Sequence, residues 1–194
     1  METARLRLTP IASPLASALY ELHTDPGIAR WYGEWTRADA DAKAAEIGRN
    51  WAEDGVGKWL ARARATGELI GRGGLSYQDV EGTRRLEIGW AVREVHWGHG
   101  YATEIGQAGI RFARELGAAE AVSFTEVHNV RSRAVMERLG FRYSHDFLRR
   151  GEPFALYRLA LETRLRTGSS PATGPSGVAG TPTNSRPKPA ARQR

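Results

Sequence analysis

The sequence predicts an α+β fold, and three observations carry that reading. Most strand-like runs follow one another through short turns, and a single strand–helix–strand unit lies at the centre. Leu86, Ile88, Trp90 and Val92 fall on one face of an alternating run and Glu87, Gly89 and Ala91 on the other, the period of a strand with one core face. Ile105, Ala108, Phe112 and Leu116 recur at helical spacing just downstream, before an apolar run at Ala121–Thr125.

In order, Arg5–Leu8 reads as a short strand ended by Pro10. A helix follows with Ser13 as its cap and Leu15, Leu19 and Leu22 on one face, stopping before the turn sequence Asp25-Pro26-Gly27. A second helix runs from about Arg37 to Ala52. Lys58–Arg64 and Glu68–Tyr77 form an antiparallel hairpin turned by Gly67, and Arg84–Val92 is a third strand after the loop Asp79–Gly82. A glycine-punctuated loop leads into a helix from about Tyr101 to Leu116, stopped by Gly117. After the strand at Ala121–Thr125, a helix over Ser132–Leu139 ends at Gly140, and strands near Phe141–His145 and Phe154–Leu161 complete the domain.

The hydrophobic fraction of 41% and the charged fraction of 26% are those of an ordinary globular chain, with no apolar run long enough for a membrane span. Met1–Arg5 show no secretory signal, so a cytoplasmic location is expected. The absence of cysteine excludes disulfides, thiolate zinc sites, iron–sulfur clusters and a Cys nucleophile, and no metal site is expected.

Of the net charge of +6, residues 167–194 supply +4 through Arg186, Lys188, Arg192 and Arg194 without an acid, leaving +2 for the rest. Nucleic acid is therefore not expected as a partner. From Thr167 the chain is rich in Pro, Gly, Ser and Ala and carries Val178 as its only branched aliphatic residue, a composition that predicts disorder. The expected organisation is one domain over residues 1–166 and a disordered basic tail over 167–194.

Three stretches bear on chemistry. On the strand Leu86–Val92, the carboxylate of Glu87 stands beside two small residues, Gly89 and Ala91, which either leave room for a ligand or mark a solvent-facing side. Trp97-Gly98-His99-Gly100-Tyr101-Ala102 then leads into a helix whose free N–H groups suit a phosphate or pyrophosphate. This is neither a dinucleotide fingerprint, since Thr103 stands where the third glycine belongs, nor a P-loop. Asn129 and Ser132 lie at the end of a strand, where ligands of α/β units bind, with Ser132 placed as a helix N-cap.

Together these three stretches, with Val135, Leu139, Gly140 and Phe141 following Ser132 in register, resemble the GNAT acetyltransferases over about residues 1–162. Glu2-Thr3-x-Arg5-Leu6-x-Leu8 and Leu22–Pro26 resemble the RimJ/RimL-like branch, which acetylates ribosomal-protein N-termini.

The resemblance implies a strongly twisted mixed sheet flanked by helices, splayed to admit acetyl-CoA. It implies that the backbone of Trp90, Ala91 and Val92 holds the acetyl and pantetheine part and that the amides of Trp97, Gly98, His99, Gly100, Tyr101 and Ala102 hold the pyrophosphate. Asn129 is implied as a pantetheine contact, Glu87 as the general base and Ser132 as a CoA contact or acid. Trp97 stands where the family usually has Arg or Gln, and Met136 stands where many relatives carry a tyrosine acid.

The amine must be neutral to attack, which at pH 7 costs about 1.4 kcal/mol for an α-amine near pKa 8 and about 4.6 kcal/mol for a lysine. Trp31, Tyr32, Glu34 and Trp35, with Trp51, are expected at the acceptor surface. The expected acceptor is a peptide N-terminus or a small amine, antibiotics of the aminoglycoside type being the rival within the class. A non-catalytic acyl-CoA-binding module is the rival outside it, and a homodimer is left open.

Overall fold

The computed structural model describes residues 1–161, within a compact unit spanning Met1–Thr163. The expected domain end at 166 and the expected tail from 167 lie outside the described residues. The elements are β1 (Leu6–Pro10), α1 (Ala16–His23), α2 (Pro26–Tyr32), α3 (Arg37–Glu53), β2 (Lys58–Ala63), β3 (Leu69–Val80), β4 (Thr83–Val92), α4 (Tyr101–Glu115), β5 (Glu120–Glu126), α5 (Val130–Arg138), β6 (Arg142–Arg149) and β7 (Glu152–Ala160).

The strands form one seven-stranded sheet in the order β1-β2-β3-β4-β5-β7-β6. Every neighbouring pair is antiparallel except β4 and β5, which run parallel through the single rung Glu87↔Val122. The parallel pair is the one joined by α4, as a crossover requires.

Two apolar layers sandwich the sheet. On one face Ile105, Ala108 and Ala113 of α4 and Met136 of α5 pack on Leu75, Ile88 and Val92. On the other, Leu19 and Leu22 of α1, Ile28 of α2 and Ala44 and Ile47 of α3 cover Leu60, Leu69 and Ala91. Ala91 thus lies under the helices, while Ile88 and Val92 lie under α4, as alternation demands. Among the described residues no helix is long and apolar enough to cross a membrane.

Four local expectations are corrected. Ser13 opens a short 3-10 turn without a side-chain cap bond, and α1 begins only at Ala16. Asp25-Pro26-Gly27 starts a helix rather than a loop, because the Asp25 carboxylate accepts from Gly27 N–H and Pro26 occupies the first turn, where no donor is needed. The loop Asp79–Gly82 tightens to a hairpin turn, with Glu81 and Gly82 both at positive φ, 52° and 75°. Ser132 is not the cap of α5: Asn129 caps it, its side-chain oxygen accepting from Ser132 N–H at 3.1 Å.

Candidate active site

The splay between β4 and β5 is the first component. Arg93 N–H donates to Ile70 O, so by alternation the N–H and C=O of Trp90 and Val92 turn away from β3, toward β5. No residue of β5 pairs with them, because the ladder has a single rung at Glu87. Val92 O is taken by the Trp97 indole N–H at 2.8 Å, leaving the other groups directed into the gap. Ser123, the first β5 residue past that rung, is buried with an unpartnered hydroxyl. A gap edged by free backbone groups fits the amide-bearing arm of a CoA thioester.

The second component is the N-terminus of α4. Gly98 and Gly100 adopt φ of 81° and 79°, a conformation that a side chain resists, and Gly100 caps the helix without a side-chain bond. The first helical bond is Glu104 N–H to Gly100 O, so the amides of Tyr101, Ala102 and Thr103 are left as donors at the positive end of the helix dipole. Arg5 braces this turn: its guanidinium donates to His99 O at 2.8 Å, pairs with Glu104 at 2.7 Å and lies over the Tyr101 ring. Burial works against the charge on Glu104, but hydrogen bonds from Thr3 and Arg5 outweigh it and hold the carboxyl below its ordinary pKa. The motif residues Thr3 and Arg5 therefore set the position of the glycine turn that opens α4.

The third component lies on the sheet face covered by α1, α2 and α3, the face of Ala91. Glu87 is 9% exposed, and its Oε2 accepts from Lys58 Nζ at 2.6 Å and from Ser76 Oγ at 2.8 Å. Its Oε1 takes no hydrogen bond among the described residues and lies over Gly89, where a Cβ would collide with it. Glycine at 89 is what makes room for the carboxylate. Burial lowers the pKa of Lys58 despite the favourable charge of Glu87.

Beside this pair, Arg72 Nε donates to His23 Nε2 at 3.0 Å. The His23 ring stacks on Trp35 with centroids 3.4 Å apart, and the Arg72 guanidinium lies 4.6 Å from the Tyr32 centroid. The bond from Arg72 requires a lone pair on Nε2 and so puts the His23 proton on Nδ1, which is buried without a partner. Burial, with the charges of Arg72 and Lys43, lowers the His23 pKa from 6.5 to about 3.

The remaining candidates divide. The Ser132 hydroxyl makes no hydrogen bond among the described residues and is half-buried on the first turn of α5, while Met136 is sealed in the core. Tyr32 and Trp35 join His23 and Arg72, whereas Trp31 packs on His128 of the β5–α5 turn, and Glu34 is exposed and belongs to neither group. Trp51 is half-buried and packs on Trp59 and Phe112 against the core. The Trp97 ring folds back on the end of β4 and carries Arg131 over it at 4.4 Å.

Sequence reasoning missed Lys58, Ser76, Arg72 and His23. Alternation alone puts Arg72 and Ser76 on one face of β3, but which carboxylate they meet follows from the register Ser76↔Glu87 and Arg72↔Ala91.

The family model of the acetyltransferase (GNAT) domain matches residues 5–142. The Bacillus subtilis (strain 168) protein YkkB is 29% identical over 164 residues, 80% of this chain and 92% of that protein. The FsC-acetyl coenzyme A-N(2)-transacetylase of Aspergillus fumigatus is 30% identical over 160 residues, 76% of this chain and 66% of that protein. The crystal structure of an acetyltransferase from Agrobacterium tumefaciens str. C58 superposes with a TM-score of 0.69 at 28% identity, covering 82% of this chain and 92% of that one. With its splayed sheet, its glycine turn at a helix N-terminus and this family match, the chain belongs to the GNAT family, enzymes that transfer an acetyl group from acetyl-CoA to an amine.

Proposed function

We propose that this enzyme acetylates a primary amine, the α-amine of a protein N-terminus in the manner of the RimJ/RimL-like branch or else a small amine, with Glu87 as general base. The observation that carries the proposal is the half-engaged carboxylate: Oε2 is held by Lys58 and Ser76 while Oε1 is left to take a proton.

An α-amine near pKa 8 is freed of its proton at pH 7 for about 1.4 kcal/mol against about 4.6 kcal/mol for a lysine, so it makes the smaller demand on a general base. The bracing of α4 by Thr3 and Arg5, residues of the motif that resembles the branch, supports the same reading.

In this reading acetyl-CoA supplies the activated acyl group. The N–H groups of Trp90 and Val92 orient its thioester arm, and the amides of Tyr101 and Ala102 take the pyrophosphate. Glu87 removes the ammonium proton through Oε1, directly or by way of water, and the Ser132 hydroxyl donates toward the departing sulfur or the CoA arm. A cytoplasmic location belongs to the same proposal.

The test is thiol release from acetyl-CoA by the purified full chain, against peptides of varied N-terminal residue, polyamines and aminoglycosides. Turnover of peptides that depends on the first residue supports the N-terminal reading. Turnover confined to polyamines or aminoglycosides overturns it in favour of the small-amine branch, and acetyl-CoA binding without turnover of any amine favours a binding module.

A further inference from the structure

Among the described residues five polar or charged side chains are buried, and four of them, His23, Arg72, Ser76 and Glu87, sit on the helix-covered face of the sheet. Their charges do not balance. Glu87 is matched by Lys58, whose side chain is 12% exposed, and Arg72 is a second buried cation at 8% exposure. Its protein partners are the neutral imidazole of His23 and the face of Tyr32, and no carboxylate pairs with it among the described residues. Other partly buried arginines are served differently: Arg85 pairs with Glu120, and Arg93 with Glu21 and Asp25. A mostly buried guanidinium with no carboxylate beside it, whose two terminal nitrogens carry no hydrogen bond among the described residues and keep contact with solvent, is a place where an anion arriving from outside can bind.

We propose that Arg72 is the anion-recognition residue of the acceptor pocket and that the amine acetylated by this enzyme carries a carboxylate. The proposal rests on the reading of Glu87 as the base that serves the amine. With Nε engaged by His23, Arg72 offers its two terminal amino groups as a free edge, the geometry that grips two carboxylate oxygens together. His23 aims that edge, and Trp35 stacked on His23 holds the imidazole. The register places Arg72 beside Ala91 and Ser76 beside Glu87. The two rungs are four residues apart, roughly 13 Å along the strand before the reach of either side chain is counted. That spacing fits a carboxylate one or two residues from the reacting amine, as an acidic side chain near a peptide N-terminus or as the C-terminus of a short peptide.

Matched acceptors test this on the wild-type chain. Ala-Glu carboxamide and Ala-Gln carboxamide differ in a side-chain carboxylate, while Ala-Gln as free acid and as carboxamide differ in a C-terminal one. At least one carboxylate member is expected to exceed its neutral counterpart by about tenfold or more in kcat/KM, the worth of one charge-assisted pair, and which pair discriminates identifies the source. The ratio is expected to fall toward unity in Arg72→Gln and to an intermediate value in Arg72→Lys, which keeps the charge without the fork.

Equal turnover of both members of each pair by the wild-type chain overturns the proposal and leaves the acetyltransferase reading intact. Thermal shift without acetyl-CoA gives a readout independent of turnover. Stabilisation by the N-acetylated Glu peptide and not by its Gln counterpart, lost in Arg72→Gln, supports the anion site even if Glu87 proves not to be the base. Equal thermal shifts within this pair and also between the N-acetylated Gln peptide as free acid and as carboxamide count against it.

Discussion

Lys58 and Glu87, 29 residues apart in sequence, meet in a 2.6 Å ion pair on the covered face of the sheet, and Ser76 completes the hold on the same carboxylate oxygen. Lys58 therefore fixes the rotamer of Glu87. Removing the ammonium in Lys58→Met should release the carboxylate from that position and lower kcat/KM by about tenfold or more. The same change strands a buried carboxylate and should destabilise the fold by about 3 kcal/mol, part of which returns in Lys58→Met/Glu87→Gln. A variant that keeps the wild-type kcat/KM would separate Lys58 from the chemistry.

Glu87→Gln keeps the shape of the side chain and its bond from Ser76 while removing the base. The expected loss is about a hundredfold or more in kcat/KM, with acetyl-CoA affinity unchanged because the splay and the α4 turn are untouched. Isothermal titration with acetyl-CoA beside steady-state kinetics checks both halves, and a variant with normal kcat/KM across pH would remove Glu87 from the mechanism.

His23 is 1% exposed and neutral, with its pKa lowered from 6.5 to about 3. Between those two values the unfolded chain binds a proton that the folded chain refuses, so stability falls as pH falls through that window. The slope approaches about 1.4 kcal/mol per pH unit below roughly pH 5.5, and the loss is complete only near pH 3, where the folded form also titrates. Urea unfolding at pH 7, 5.5 and 4.5 measures this, with His23→Gln expected to flatten the profile.

Gly100 holds φ at 79° to aim the α4 amides. Gly100→Ala puts a Cβ into the left-handed region at about 1–2 kcal/mol. The strain should appear as a several-fold higher KM for acetyl-CoA with kcat largely retained, since the reacting groups lie on other elements. A fall in kcat with unchanged KM would place the loop elsewhere in the reaction.

Ser132 is relieved of capping by Asn129, so Ser132→Ala should leave stability within about 0.5 kcal/mol, whereas Asn129→Ala should cost about 1 kcal/mol. What Ser132→Ala changes is kinetic. A lower kcat at saturating acetyl-CoA supports proton donation to the sulfur, and weaker CoA binding with normal kcat assigns the hydroxyl to a CoA contact only.

The sequence by itself determined the element order, the half-buried strand carrying Glu87 and the glycine turn at Gly98–Gly100. It also determined the helix placing Ser132 and Met136 in register. Each of these is written in neighbours a few residues apart, through periodicity of two or 3.6 and through turn chemistry.

Local signals misled where two motifs share residue types. Asp-Pro-Gly reads equally as a turn or as a capped helix start, and the packing of Ile28 under the sheet decided between them. Only the tertiary structure decided which side chains meet. Lys58 reaches Glu87 and Arg72 reaches His23 across 29 and 49 residues, through strand register and through the seating of α1 on the sheet. The balance of charge around Glu87, Lys58 and Arg72 belongs to that second class. Two cations and one carboxylate share a low-dielectric face because β2, β3 and β4 pair in one register, and a shift of one residue would turn them to the other face of the sheet.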